Sequence, residues 1–249
     1  MYDFPNAPSL GTVFSPAGGP SWQWNGTGWV NVAPAGNIIV TVISTPGAGT
    51  YVPPVGLRFL EVTLVGGGGG SQSSQATAAG QSAGGGGGAG AGTCIKLYKA
   101  SDLAASEPYT VGAGGAISTD GGSTIFKGMT ASGGSGAPTI AGPGTTFATP
   151  GKSTGGTATG GDMNIQGGDG EGGMRGAHGV ATVAYAGGGG GTFLAGTTLG
   201  TYVGATTVSG VVGRFPGGGA RGTGNSASQG VTASAAAGAN GCIILREYY

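Results

Sequence analysis

One histidine, two cysteines and nine acidic residues are the reactive side chains of a 249-residue chain, and their spacing decides which chemistry is open to them. His178 stands alone in Gly176-Ala177-His178-Gly179. A catalytic triad or a metal site needs companions, yet neither a Gly-x-Ser-x-Gly elbow nor a Cys/His cluster accompanies it, so it reads as a solvated loop residue. Gly151-Lys152-Ser153 matches the end of a phosphate-binding loop, but the pattern requires glycine five residues before Gly151, where the chain has Thr146. Gly85-x-Gly87-x-x-Gly90 has dinucleotide-binding spacing but leads into Thr93-Cys94-Ile95 rather than a helix. Asp162, Asp169 and Glu171 fall in one imperfect copy of a calcium-binding nonapeptide, a motif that works in tandem arrays. So few acids leave little material for paired-carboxylate hydrolysis. Cys94 and Cys242 each open an apolar stretch and read as small buried free thiols; spacing alone does not say whether they lie within the ~7 Å of a disulfide. The expectation is a protein that is not an enzyme, with no cofactor and no metal.

Non-covalent binding fits the composition better. Phe193, Leu194, Tyr202 and Val203 follow a glycine run at 187–191, with few charges to solvate them. Such side chains either plug the layers of a glycine-rich body or supply contact area on loops at low entropic cost. A second candidate surface is the Pro/Thr/Gly-rich stretch 139–159, with Phe147 as anchor or as ordinary packing. Formal net charge is zero and no Lys/Arg cluster exists, so nucleic-acid binding is not expected. Nothing approaches ~18 consecutive apolar residues, so membrane insertion is not expected. Met1-Tyr2-Asp3-Phe4-Pro5 has neither the basic start nor the apolar core of a secretion signal, which predicts synthesis in the cytoplasm.

The elements that would carry these residues are dominated by 63 glycines, with long runs at 66–70, 84–88 and 187–191. Glycine in an element interior costs roughly 0.5–1 kcal/mol relative to alanine. Such a chain is therefore either disordered or builds something in which a Cβ would not fit. Disordered chains are rich in charge and poor in apolar residues, whereas this one is 7% charged and 38% hydrophobic. Collagen needs glycine at every third position, and the spacing here is irregular. What remains is polyglycine II, an extended threefold helix without internal hydrogen bonds. Its buried amides must find partners, and bare backbones approach closely enough to bond one another laterally. The glycines would then be the core itself.

Strands are predicted at 38–43, 57–65, 93–98, 109–111, 123–127, 130–132, 180–184 and 241–248, with one helical turn within 100–106. The fold class is all-β: short strands plus stacked polyglycine II helices. Residues 1–33 stand apart as an attachment module. They hold Trp22, Trp24 and Trp29, and residues 21–32 alternate apolar and polar around Asn25-Gly26, a strong hairpin signal. So small a module buries little by itself, which predicts an aromatic face docked on a partner. Residues 34–249 form the glycine-rich body.

The segment Tyr51-Val52-Pro53-Pro54-Val55-Gly56-Leu57-Arg58-Phe59-Leu60-Glu61-Val62-Thr63-Leu64-Val65, followed by glycines 66–70, resembles the opening of the glycine-rich domain of tailed-bacteriophage tail-fibre proteins. Tyr109-Thr110-Val111-Gly112-Ala113-Gly114-Gly115 and Gly121-Gly122-Ser123-Thr124-Ile125-Phe126 are similar to its middle, and 238–249 to its final strand. Phe4-Pro5-Asn6-Ala7-Pro8, residues 16–20 and the Trp hairpin are similar to attachment segments of short phage fibre proteins. The resemblance implies a virion protein, a tail-fibre or tail-tip component, that binds a host surface receptor through loops between glycine runs. The receptor would be an outer-membrane protein or a polysaccharide. It further implies a homotrimer, and attachment to other virion proteins through Phe14, Trp22, Trp24 and Trp29. Phe193, Leu194, Tyr202, Val203 and Phe147 are the expected receptor contacts. The competing expectation is a purely structural capsid or baseplate decoration protein.

Overall fold

The computed structural model describes residues 4–6, 8–16, 21–31, 38–138, 140–149, 151–178 and 181–249. The expected boundary at 33/34, the start of a strand at Val180, and positions 17–20, 139 and 150 of the segments singled out above lie outside the described residues.

In the N-terminal module, Val13–Phe14, Trp22–Trp24 and Trp29–Asn31 form a three-stranded antiparallel sheet. Trp24 pairs with Trp29 across a turn in which Asn25 Oδ1 accepts the N–H groups of Thr27 (2.9 Å) and Gly28 (2.8 Å). Gly26 supplies the φ of +94° this turn needs. The aromatic face closes on itself rather than standing open. The Phe4 ring lies 5.3 Å from Trp29, stacked, 5.5 Å from Trp22, edge-on, and 5.2 Å from Phe14, while Trp24 and Trp29 meet at 5.8 Å. All four predicted attachment residues therefore share one internal cluster, each half-buried.

The body begins as a sandwich. One five-stranded antiparallel sheet runs in the order Met163–Ile165, Thr93–Lys99, Phe59–Val65, Cys242–Tyr248, Ile38–Ile43. The other runs Ala158–Thr159, Met129–Ala131, Thr124–Phe126, Glu107–Val111, Gly47–Tyr51. Alternation places Leu60, Val62, Leu64, Ile243 and Leu245 on the inner face of the first, where they meet Val111, Phe126 and Met129 of the second. Lys127 and Glu107 pair at 2.5 Å beside this core.

At one pole of the sandwich the strands continue as extended rods. Residues 66–72 leave Phe59–Val65 and are surrounded. The N–H groups of Gly66, Gly69 and Gln72 bond the carbonyls of Gly92, Ala89 and Gly86 (3.2, 2.9 and 3.1 Å). Those of Gly67 and Gly70 bond Gly122 and Thr119 (2.8 and 3.0 Å), and those of Gly68 and Ser71 bond Ala239 and Ala236 (2.8 and 3.0 Å). Every third amide returns to the same neighbour, three residues further back along it. The carbonyls keep the three-residue spacing but step forward along each neighbour: Gly67 and Gly70 accept from Gly134 and Ala137, Gly68 and Ser71 from Gly115 and Ser118. Gly69 accepts from Ala220, and Gln72 from the Thr223 hydroxyl. Three donating and three accepting directions are the hexagonal packing of polyglycine II.

Residues 85–92 form a second such centre, donating to 217–223, 168–171 and 132–135 in the same three-residue rhythm. A Cβ built on Gly67, Gly68, Gly69, Gly70, Gly88 or Gly90 would fall inside 3.0 Å of a neighbour's carbonyl oxygen, closer than real Cβ atoms approach. These residues are glycine because the space is already occupied by backbone.

At the opposite end of the rods the chain turns through two further sheets. Their orders are Ile140–Gly144, Ser82–Gly85, Gly224–Asn225, Thr207–Val208 and Met174–His178, Ala181–Ala186, Thr201–Val203. His178 is thus at a strand end paired with Ala181, not in a loop; the solvation of its ring lies outside the described residues. The sole helical element among the described residues is the 3-10 turn Ala100–Asp102.

Candidate binding surface

The body is polar in its layout. Ile38 pairs with Tyr248 at the pole of the sandwich farthest from the rods, and the non-glycine hairpins close the other end. Between the two, residues 192–216 climb and descend one flank of the bundle. Thr198 bridges Gly189, Val211 bridges Arg221, and the Gly213 N–H bonds Ala237, so this excursion is laced to the rods at several levels.

Along that flank Phe193 (57% exposed), Leu199 (77%) and Val212 (60%) stand out, joined by Leu194, Val211 and Phe215. Phe193 shares a groove with Ile165 and Gln166 near the sandwich, and Leu199 shares another with Val211 and Val212. Tyr202 is exposed but leans on Tyr185, ring centroids 4.9 Å apart. Tyr185 in turn donates to Glu171 Oε2 at 2.5 Å. Burial and that carboxylate push the Tyr185 phenol up to about 12.

Val203 is a correction to the expected contact set. It is 1% exposed, pairs with Ala184 and points toward Gly224, so it packs inside the body rather than on its surface. Phe147 is exposed but sits beside Gly176, next to the Ala148–Arg175 bridge at the far end of the rods. Phe193 and Leu194 lie nearer the sandwich. The expected contacts therefore divide between a flank and an end instead of converging.

The residues set aside as candidate metal or phosphate ligands bond the backbone of the body, most of them at the rods. Asp169 Oδ1 accepts the Gly155 N–H (3.0 Å), Glu171 Oε2 accepts that of Gly188 (3.0 Å), and Asp162 Oδ2 that of Leu97 (3.0 Å). Ser153 is buried and donates its hydroxyl to the Gly87 carbonyl at 2.8 Å, with its backbone bridged to Gly170. Asp120 Oδ1, Asn240 Oδ1 and Thr198 Oγ1 accept the N–H groups of Gly136, Gly114 and Gly189 (2.8, 2.9 and 3.0 Å). Asp169, Glu171, Asp120 and Asn240 each take a glycine amide that no neighbouring rod accepts, whereas Ser153 donates to a rod carbonyl and Asp162 serves a strand of the sandwich. Sequence reasoning missed this group; the available signal was the isolation of single polar residues among glycines.

The two cysteines are free and buried. Cys94 donates toward the Thr159 carbonyl (3.3 Å) and Asn164 Oδ1 (3.2 Å), while Cys242 packs with Val65 and Ala91 at the seam between sandwich and rods. Burial pushes both thiols up, Cys242 to about 11, so neither is a ready nucleophile.

The glycine-rich domain family matches residues 43–248, from the end of strand Ile38–Ile43 to the last strand of the sandwich. The chain belongs to this family. A comparison with curated proteins gives no match. The family span takes in both the sandwich and the rods of this glycine-rich domain and leaves the Trp-containing module outside it.

Proposed function

We propose that this glycine-rich domain protein is a bacteriophage virion component, a tail-fibre or tail-tip protein that binds a host surface molecule non-covalently. The observation that carries this reading is the polarity of the body. The N-terminal module is linked through Ile38 to one pole, a stiff rod lattice spans the middle, and exposed loops occupy the flank and far end. Such a lattice holds loops still whatever their sequence, because its bonds are made by backbone alone; a rigid scaffold carrying variable loops suits recognition. The resemblance of the landmark segments to phage fibre proteins supplies the virion context, which is an analogy of fold rather than of site. No catalytic step is assigned to it.

Two changes test the proposal. Removing residues 1–33 should leave a folded body that no longer joins the particle. Exchanging residues 192–213 for a relative's segment should move host range, and unchanged adsorption would contradict the binding role. A second reading, decoration of a capsid or baseplate, draws on Ile38–Ile43. Ile38, Ile39, Val40 and Val42 are each about half exposed on an edge strand with no charged residue, a surface that proteins usually cover. An image of the particle with the body clamped between other subunits would favour it.

A further inference from the structure

The flank contains a groove of about 250 Å³ lined by Thr198, Leu199, Thr201, Val211, Val212, Arg214 and Arg221. It brings together two of the chain's nine basic residues and no carboxylate. Arg221 is fixed: it belongs to a rod, and its guanidinium donates to the Ser209 carbonyl (2.9 Å) and the Thr201 hydroxyl (3.4 Å). Arg214 is exposed, and among the described residues it has neither an ion-pair nor a side-chain hydrogen-bond partner. Two acids line an adjoining groove that shares Thr198 and Leu199, and both are engaged with backbone amides, Asp169 with Gly155 and Glu171 with Gly188. Beside the arginines the lining is Leu199, Val211 and Val212, with the hydroxyl-bearing Thr198 and Thr201. One preorganised and one free guanidinium above an apolar floor suit a small oxyanion attached to a partly apolar ring, because guanidinium binds carboxylate and phosphate through paired charge-assisted hydrogen bonds.

Resting on the reading of the flank as a host-binding surface, we infer that this groove takes an anionic sugar, with Arg214 and Arg221 receiving its carboxylate or phosphate. The ligand class is an acidic or phosphorylated saccharide. The apolar face of its ring packs on Leu199, Val211 and Val212.

Amide spectra of the full-length protein, titrated with tetragalacturonate, glucose 6-phosphate and neutral maltotetraose, test this. Shifts at 198–201 and 211–221 with either anionic probe, and none with maltotetraose, are expected; whichever anion acts identifies the group. Arg214→Ala should weaken binding about tenfold, the loss of one charged hydrogen-bonding partner, while Lys152→Ala on an exposed remote site should leave it unchanged. The inference fails if maltotetraose shifts the same amides as strongly, if no probe does, or if Lys152→Ala weakens binding as much as Arg214→Ala. Particle adsorption separates this inference from the broader one. If the 192–213 exchange abolishes adsorption and Arg214→Ala leaves it intact, the host-binding role stands and the anionic sugar does not.

Discussion

The sandwich and the rod bundle are two solids joined end to end and built on opposite rules. In the sandwich, Phe126, Leu60, Leu64, Met129 and Ile243 are fully buried, and bulk excludes water. In the bundle, backbone excludes water, and carbonyls occupy the places where side chains would be. Removing atoms should therefore damage the first and adding them the second. The seam is graded: Ala91 is tolerated in a central rod because its methyl packs with Val65 and Cys242 where strands give way to rods.

The largest effect is expected for one added methyl at the bundle centre. Gly69→Ala would drive a Cβ into the Ser135 carbonyl, and that rod cannot shift without disturbing its neighbours. Loss of cooperative folding, or destabilisation of at least about 3 kcal/mol in chemical denaturation, is expected, at or beyond the upper end of ordinary overpacking. Gly230→Ala, with open space around it, should stay within about 0.5 kcal/mol. Equal effects at the two glycines would erase the contrast between the two cores. In the sandwich, Phe126→Ala should cost about 3–5 kcal/mol by leaving a cavity.

Smaller effects sharpen the boundary. Asp169→Ala leaves the Gly155 amide without its acceptor and should cost about 1–3 kcal/mol. A change below about 0.5 kcal/mol would mean that water replaces the carboxylate. Glu107 responds to acid. Burial raises its carboxyl, but the Lys127 ammonium and the Ala104 N–H outweigh that and leave it below the usual carboxylate range. A lowered folded-state value stabilises at neutral pH, and that stability is lost as pH falls through the folded value. Thermal melts should therefore drop on acidification below about pH 4, and Glu107→Gln should flatten that part of the profile. The least perturbing test is thiol labelling. Native protein near pH 8 should resist alkylation at Cys94 and Cys242, and unfolded protein should take it up at both.

How much was legible in the sequence follows the same division. Strands such as Phe59–Val65, Thr93–Lys99 and Cys242–Tyr248 were readable because their apolar residues announce a buried sheet. The glycine runs were readable as rods because a chain of low charge cannot leave them solvated. Gly47–Tyr51 and Ser82–Gly85 were not: Gly47, Ala48 and Gly49 ahead of Tyr51, and all four residues of Ser82–Gly85, are too small to mark a face, and each strand pairs with a neighbour's backbone. Asp120, Asp169 and Asn240 were equally hidden, since an amide lacking a rod partner is a fact of three-dimensional neighbourhood. Val203 was misplaced because alternation across Thr201–Val203 turns Tyr202 outward and its neighbour inward, and nothing local says which.

Amide hydrogen exchange tests most directly the claim that lateral backbone bonding makes the bundle solid. The central glycines 67–70, 87, 88 and 90 should exchange as slowly as Leu64 and Ile243 in the sandwich, and far more slowly than Gly204 or Gly230. Exchange at those central glycines as fast as in an unstructured peptide, with the sandwich still protected, would contradict the account.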